Sequence, residues 1–137
     1  MLVMWLRGVL SCAQAERRVT LVVGNAAYTD RPLRNQINDA RLTQATLRDP
    51  GFDAQVATDV ERRGLLGALR DFEARARGAD LALFYLAGHG AQVGGTDYLI
   101  PVNAQVRADT EVPDEPLQAA GELRRIKKAG PPRGSLR

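Results

Sequence analysis

The segment Leu81-Ala-Leu-Phe-Tyr-Leu-Ala-Gly-His-Gly90 carries more structural information than any other stretch of the chain. An apolar run bounded by glycine predicts a strand that is buried on both faces of a sheet. The run ends at His89, the only histidine, which stands between Gly88 and Gly90. A lone histidine is more often structural than catalytic, but flanking glycines let backbone amides approach a ligand closely, which a packed core histidine does not need. His89 is therefore a candidate catalytic residue at the end of a rigid strand.

Two earlier segments also have strand character. Arg18–Val23 is rich in β-branched residues, and Phe52–Ala57 alternates between apolar and polar positions. Together with Asp80–Leu86 they predict three parallel strands, because helical patterns fill the connections between them. Right-handed crossovers bring the carboxyl ends of such strands to one edge, so His89 and Asn25 are expected there together.

The two connections predict helices on the faces of the sheet, which makes the expected fold class a three-layer αβα sandwich. The first helix is expected to start at a cap on Asn38 or its neighbour Asp39 and to run to Arg48. The second is expected to run from Val60 to Arg77, with Asp59 as its cap. The apolar positions that keep roughly helical spacing in the first helix are Ala40, Leu42, Ala45 and Leu47, and those on one face of the second are Leu65, Leu66, Leu69 and Phe72.

Other features complete the predicted organisation after His89. Ala91–Val102 is expected to form a hairpin with its turn at Gly94-Gly95. Leu117–Ala129 has a helical pattern. Pro131–Arg137 is expected to be a disordered tail, because its two prolines could not lie in a central strand.

The composition of the chain argues against several classes of function. The chain has 137 residues, which fits one domain, and a formal net charge of +3, which is too weak to indicate nucleic acid binding. Its basic cluster, Arg124-Arg-Ile-Lys-Lys128, is interpreted as a solvated helix face. One cysteine excludes an internal disulfide, and one histidine with one distant cysteine does not form a metal-ligand set, so neither metal nor cofactor is expected.

Residues 1–16 have the character of a signal-peptide remnant. The segment is short and apolar and contains Ala13-Gln-Ala15, an A-x-A pattern, while Val9-Leu-Ser-Cys12 weakly resembles a lipoprotein cleavage site. Arg7 interrupts the apolar run, and a basic leader is missing. Export to the periplasm or beyond and a cytoplasmic location both stay open. No segment predicts a membrane span.

Five segments in this order resemble the caspase-like cysteine peptidases, specifically the large catalytic subunit of the bacterial caspase and metacaspase group. The resemblance identifies residues 17–130 as a partial caspase-like catalytic domain and implies a mainly parallel αβα sandwich that lacks the C-terminal strands of the family. The five segments are Arg18-Val-Thr-Leu-Val-Val-Gly-Asn-Ala-Ala-Tyr28, Leu33-Arg-Asn-Gln-Ile-Asn-Asp-Ala40, Gly51-Phe-Asp53, Ala79-Asp-Leu-Ala-Leu-Phe-Tyr-Leu-Ala-Gly-His-Gly90 and Asp97-Tyr-Leu-Ile-Pro-Val102.

The resemblance implies a role for each matching residue. In that family a cysteine thiolate attacks the peptide carbonyl, a histidine assists proton transfer and backbone amides hold the oxyanion. His89 matches the catalytic histidine, and Gly90 matches the residue whose N–H lines the oxyanion hole. Asp39 matches an acidic residue of the metacaspase specificity pocket, which favours arginine or lysine before the cut, although a helix cap is an equal alternative. Ala87 stands where some relatives have a pocket serine, which weakens that specificity.

The sequence departs from the family at the nucleophile. The family cysteine follows its histidine by about 50 residues, but the chain ends at Arg137 without an acid-x-Cys pattern. Cys12 precedes the first strand, and a thiol far from a base is usually inert. We therefore expect a chain that keeps the histidine of the Cys-His dyad and is inactive as it stands.

Three functions compete at this point. The first is a truncated or frameshifted piece of a caspase-like endopeptidase that acts on peptides or proteins. The second is a catalytically dead binding module, which could dimerise through a sheet edge left exposed by the missing strand. The third is an unrelated α/β nucleotide-binding or hydrolase domain, but the chain has neither a phosphate loop nor a Gly-x-Ser-x-Gly elbow.

Overall fold

A computed structural model describes residues 2–6, 16–29, 31–48, 50–105 and 117–118 of the chain. The predicted alternation of strands and helices is confirmed over the central part of the sequence. In chain order the elements are β1 (Leu2–Leu6), β2 (Arg18–Gly24), α1 (Gln36–Arg48), β3 (Phe52–Thr58), α2 (Arg62–Ala76), β4 (Leu81–Ala87), β5 (Gly90–Val93), β6 (Thr96–Leu99) and β7 (Leu117–Gln118).

The main sheet has the strand order β1-β4-β2-β3. Strands β3, β2 and β4 are parallel, as predicted, and Gly24 is aligned with both Thr58 and Ala87. The three carboxyl ends are therefore level, which brings the loops that follow them to one edge of the sheet. This arrangement, with one helix on each face, confirms the αβα fold class.

Strand β1 lies antiparallel to β4, with Leu2 opposite Tyr85 and Leu6 opposite Leu81. The side of β4 that was expected to be an exposed edge is thus hydrogen-bonded to another strand of the same chain. Dimerisation through a sheet edge stays a prediction, and so does the interpretation of residues 1–16 as an export signal.

Helix α2 covers one face of the sheet with an apolar core. Alternate residues of β2 and β4 face this helix, because side chains in a strand point to opposite faces in turn. The phenyl rings of Phe72 and Phe84 pack with their centroids 6.5 Å apart. The buried cluster comprises Val19, Leu21, Val23, Leu65, Leu69, Phe72, Ala76, Ala79, Ala82, Phe84, Leu86 and Leu99.

Helix α1 covers the opposite face through small and polar side chains. A Cβ on Gly24 would lie 2.6 Å from the Cβ of Ala40, so the helix begins in close contact with the end of β2. The Gln44 side chain donates to the carbonyl of Ala54 on β3. Leu42, one of the apolar positions of the predicted helix, is 69% exposed. Ala40 and Gln44, four residues apart, define the contacting face, and Leu42 lies away from it.

Both predicted helix caps were wrong. Helix α1 begins at Gln36, so Asn38 and Asp39 lie within its first turn rather than before it. Helix α2 begins at Arg62 after Glu61, whose side chain makes no cap hydrogen bond. Instead the Arg62 N–H donates to Oδ1 of Asn103, which is 41 residues away in sequence. A cap supplied from such a distance leaves no local sequence signal.

The chain after β4 forms a second, smaller sheet of order β5-β6-β7. The hairpin predicted after His89 is confirmed, and its turn residues Gly94 and Gly95 have φ values of 55° and 77°. Positive φ at both positions is what a type I′ turn requires. The helix predicted from Leu117 was wrong at its start, because Leu117 and Gln118 pair with β6. The rest of that segment and the tail 131–137 lie outside the described residues.

Within the described part of the chain, neither helix is long and apolar enough to cross a membrane.

Candidate active site at the carboxyl end of the parallel strands

His89 lies just beyond the carboxyl end of β4, where the sequence predicted it. Its backbone N–H donates to the hydroxyl of Tyr28 at 2.8 Å, and its ring Nε2 lies 2.9 Å from the carbonyl oxygen of Arg31. The rings of His89 and Tyr28 are in tilted contact, with centroids 4.4 Å apart. Two residues of the segment after β2 therefore hold both the backbone and the side chain of the histidine.

The carbonyl of Arg31 determines which ring nitrogen of His89 carries the proton. A carbonyl oxygen only accepts hydrogen bonds, so Nε2 must be the donor in this contact. In the neutral imidazole the lone pair is then on Nδ1. The geometry thus prepares Nδ1 as the ring atom that can receive a proton.

The Tyr28 hydroxyl connects three segments of the site. It accepts the hydrogen bond from His89 N–H and donates its own proton to the carbonyl of Ile100 at 3.1 Å. Burial raises the pKa of the Tyr28 phenol, and this effect outweighs the His89 N–H and the Asn25 amide, which lower it. Tyr28 is therefore kept in the neutral form that can donate to Ile100.

Gly88 is required by the close approach of Tyr28. A Cβ at this position would lie 2.6 Å from the Tyr28 hydroxyl oxygen and 3.2 Å from the Cβ of Asn25. Gly90 is less restricted, because the nearest atom to an added Cβ is the carbonyl oxygen of Tyr98 at 3.4 Å. The two glycines that flank the histidine thus have different physical roles.

The backbone of Gly90 faces away from the hairpin. Ile100 N–H donates to the carbonyl of His89, and Gly90 is paired with Leu99 in the adjoining antiparallel ladder. Hydrogen-bonded and non-hydrogen-bonded pairs alternate in such a ladder. The Gly90–Leu99 pair is then a non-hydrogen-bonded one, which directs the Gly90 N–H away from β6.

Asn25 and Asp59 join the loops that follow β2 and β3. The Asn25 N–H donates to the carbonyl of Ala87 at 2.8 Å, and its Oδ1 accepts from Val60 N–H at 3.0 Å. Asp59 Oδ1 accepts from the N–H groups of both Ala26 and Ala27, each at 2.8 Å. Asn25 is completely buried, and His89 shares its edge of the sheet, as predicted.

His89 and Gly90 are adjacent just beyond the end of β4. Asp39 is exposed in the first turn of α1, and this helix begins against Gly24 at the same edge of the sheet, as predicted. Among the described residues, the Asp39 side chain forms no hydrogen bond or ion pair with His89 or Gly90. Cys12 lies outside the described residues. In the part of the chain that is described, no group of three acidic, histidine or cysteine side chains could hold a metal ion.

Two groups that contact His89 were not predicted from the sequence, the Tyr28 hydroxyl and the Arg31 carbonyl. Asp59, which had been expected to cap a helix, instead binds the backbone just before Tyr28. A tyrosine just after a buried strand is a usable signal, since buried tyrosine hydroxyls need partners. The Arg31 contact uses a backbone atom and is therefore invisible in the sequence.

The fold and the position of His89 define a class of protein. It is an αβα sandwich in which a histidine lies at the carboxyl edge of the parallel sheet. A family model described as the caspase domain matches residues 17–119. The chain therefore belongs to the caspase domain family, which indicates the cysteine peptidases as its wider group. A comparison with curated proteins finds no match.

Proposed function

We propose that this chain carries the histidine half of a cysteine endopeptidase site, with His89 as the proton-transfer group. The observation that carries the proposal is the 2.9 Å contact between His89 Nε2 and the Arg31 carbonyl. Because that contact leaves the lone pair on Nδ1, the imidazole is prepared to take the proton of a thiol.

The proposed reaction uses the backbone beside the histidine. A cysteine thiol transfers its proton to Nδ1 of His89, and the resulting thiolate attacks the carbonyl carbon of the peptide bond. The electron pair of that carbonyl moves onto its oxygen, which the Gly90 N–H stabilises. The electron pair then returns from the oxygen to re-form the carbonyl as the carbon–nitrogen bond breaks, and the imidazolium gives its proton to the leaving amine. Water, which gives a proton to His89, attacks the thioester carbonyl, and the carbon–sulfur bond breaks to release the acid and restore the thiol.

No thiol is among the described residues around His89. Cys12 is the only cysteine of the 137 residues and precedes β2 in the sequence. We propose that these residues by themselves do not hydrolyse peptides. The exposed Asp39 carboxylate is proposed to favour arginine or lysine before the cut, because it would pair with a basic side chain.

A peptidase assay tests the inactive state directly. The purified chain is incubated with fluorogenic peptides that end in arginine, lysine or aspartate, and the Cys12→Ala variant serves as the matched control. No turnover above buffer is expected from either protein. Turnover by the parent chain that disappears in Cys12→Ala would identify Cys12 as the nucleophile and overturn this proposal.

A repaired chain tests the role of His89. An apolar strand ending in Asp-x-Cys replaces Pro131–Arg137, once with the native N-terminus and once with Met4→Pro, which weakens the pairing of β1 with β4. Activity is expected to be higher in the Met4→Pro background, because the added strand would pair on the side of β4 that β1 occupies. His89→Ala should abolish it, and Asp39→Ala should mainly weaken cleavage after basic residues.

The same experiment distinguishes the peptidase from a binding module. A repaired chain that unfolds cooperatively, and yet cleaves neither basic nor acidic substrates in either background, would remove the support for a peptidase site. The catalytically dead binding module would then be the better function.

A further inference from the structure

We infer that Asp59 is a positioning residue for His89, which it controls through the backbone of Ala26 and Ala27 that leads into Tyr28. The inference rests on the proposed function of His89 and adds a residue to that site. Asp59 is 30 residues before His89 in sequence and follows a different strand, so nothing local connects the two residues.

The first step is the contact between the Asp59 carboxylate and the backbone after β2. One oxygen, Oδ1, accepts both the Ala26 and the Ala27 N–H groups at 2.8 Å. Asp59 N–H also donates to the Gly24 carbonyl at 2.9 Å. Hydrogen bonds to an ionised acceptor are about twice as strong as those between neutral groups. The carboxylate therefore determines how the chain leaves β2.

The second step is the contact between this segment and His89. Tyr28 is the residue that follows Ala27, and its hydroxyl accepts the His89 backbone N–H at 2.8 Å. Arg31, three residues further on, provides the carbonyl that lies 2.9 Å from Nε2. Both groups that hold His89 thus belong to the segment whose start Asp59 anchors.

The third step is the backbone conformation of Asp59 itself. Its φ is 49°, and it is the one described residue other than glycine with a positive φ. Such a conformation costs free energy for a residue with a Cβ, although aspartate and asparagine tolerate it better than most. A purely conformational requirement would be met best by glycine, so the side chain at this position points to a role for its acceptor oxygen.

Asp59 is not the cap residue of the helix that follows. The residue at the cap position of α2 is Glu61, and the Arg62 N–H is bonded to Asn103 instead. The Asp59 carboxylate is therefore directed to the β2 loop and not to the usual task of an acidic residue before a helix.

The chain is well suited to a direct test because His89 is its only histidine. Modification by diethyl pyrocarbonate, followed at the carbethoxy-imidazole absorbance, therefore reports on this ring alone. Long-range proton–nitrogen NMR of the same ring reports which nitrogen carries the proton. Both measurements use the full chain at neutral pH, and urea unfolding of each variant is recorded beside them.

Two substitutions separate the carboxylate from the backbone. Asp59→Gly keeps the positive φ at no steric cost but removes the acceptor. Asp59→Asn keeps an acceptor oxygen and tolerates the same φ. Thr58→Ala is the neighbouring control, because the exposed Thr58 contributes no side-chain contact to the site.

We expect an effect on His89 only in the variant that loses the acceptor oxygen of residue 59. In Asp59→Gly, His89 should react about fivefold faster and lose its preference for the Nε2–H form, as the loss of one ordinary hydrogen bond implies. Asp59→Asn and Thr58→Ala should stay within about twofold of the parent rate on the same scale. An Asp59→Gly chain with the reactivity and tautomer of the parent would overturn the inference, even if its unfolding midpoint falls.

Hydrogen exchange in the parent chain keeps the inference testable if Asp59→Gly does not fold. The Ala27 N–H, which is bonded to Asp59, and the His89 Nε2–H should lose protection at the same urea concentration because they open as one unit. Protection of Nε2–H that persists after Ala27 has opened would contradict the inference. None of these readouts needs turnover, so a failed peptidase assay leaves them interpretable.

Discussion

The face of the sheet under α2 and the carboxyl edge that bears His89 are held by different forces. The α2 face is a continuous apolar cluster whose members range from Val19 to Leu99, and non-directional burial accounts for it. The edge combines a smaller apolar cluster, which includes Tyr28, with directional bonds from Tyr28, Asn25 and Asp59, most of them to backbone atoms. The free energy of unfolding should therefore depend most on residues of the α2 face, while the orientation of the histidine depends on residues of the edge.

The largest effect is expected from a cavity on the apolar side. Phe72→Ala removes a side chain that is completely buried against Phe84 and should lower the free energy of unfolding by about 3–5 kcal/mol. Urea unfolding measures this change. Leu42→Ala on the opposite face, where the side chain is 69% exposed, is the matched control and should change it by less than about 0.5 kcal/mol. Equal costs for the two variants would contradict the assignment of the core to the α2 face.

The edge should be most sensitive to a single added carbon at Gly88. Gly88→Ala places a Cβ 2.6 Å from the Tyr28 hydroxyl oxygen and is expected to cost about 1–3 kcal/mol through displacement of that tyrosine. Gly90→Ala meets only the Tyr98 carbonyl oxygen at 3.4 Å and should stay within about 0.5 kcal/mol of the parent. Thermal unfolding of both variants tests the difference, and a reversed order would mean that the tyrosine does not pack against Gly88.

Removal of the Tyr28 hydroxyl tests the directional bonds of the edge alone. Tyr28→Phe keeps the ring but leaves the His89 N–H and the Ile100 carbonyl without their partner, at an expected cost of about 1–2 kcal/mol. The reactivity of His89 toward diethyl pyrocarbonate should rise in the same variant. A stability equal to that of the parent would show that water replaces the hydroxyl at no cost.

The smallest effect is a pH dependence at the same residue. Burial raises the pKa of Tyr28 above its ordinary value of 10.0, so the folded state binds more protons than the unfolded state above that pH. The stabilisation from this group is complete below pH 10.0 and is lost as the pH rises through the raised pKa of the folded state. The free energy of unfolding of the parent should therefore fall more steeply above pH 10.0 than that of Tyr28→Phe. Parallel pH profiles would contradict a buried neutral phenol.

Much of the core could be predicted from the sequence, because the apolar residues of its strands follow regular patterns. The strands Arg18–Gly24, Phe52–Thr58 and Leu81–Ala87 follow their apolar patterns closely, and the Gly94-Gly95 turn follows from its composition. Helix α1 was less predictable. It packs through Ala40 and Gln44 rather than Leu42, since the close contact at Gly24 leaves little room for large side chains.

The sequence by itself determined the family, the parallel sheet and the position of His89 at the end of a strand. It could do so because apolar patterns and glycines are features of short, continuous segments. Only the tertiary structure decided how that histidine is held. Its partners are a hydroxyl 61 residues away and a backbone carbonyl 58 residues away, and Asp59 reaches the same segment across 32 or 33 residues. Such contacts depend on how crossovers return the chain to one edge of the sheet, and no local pattern encodes them.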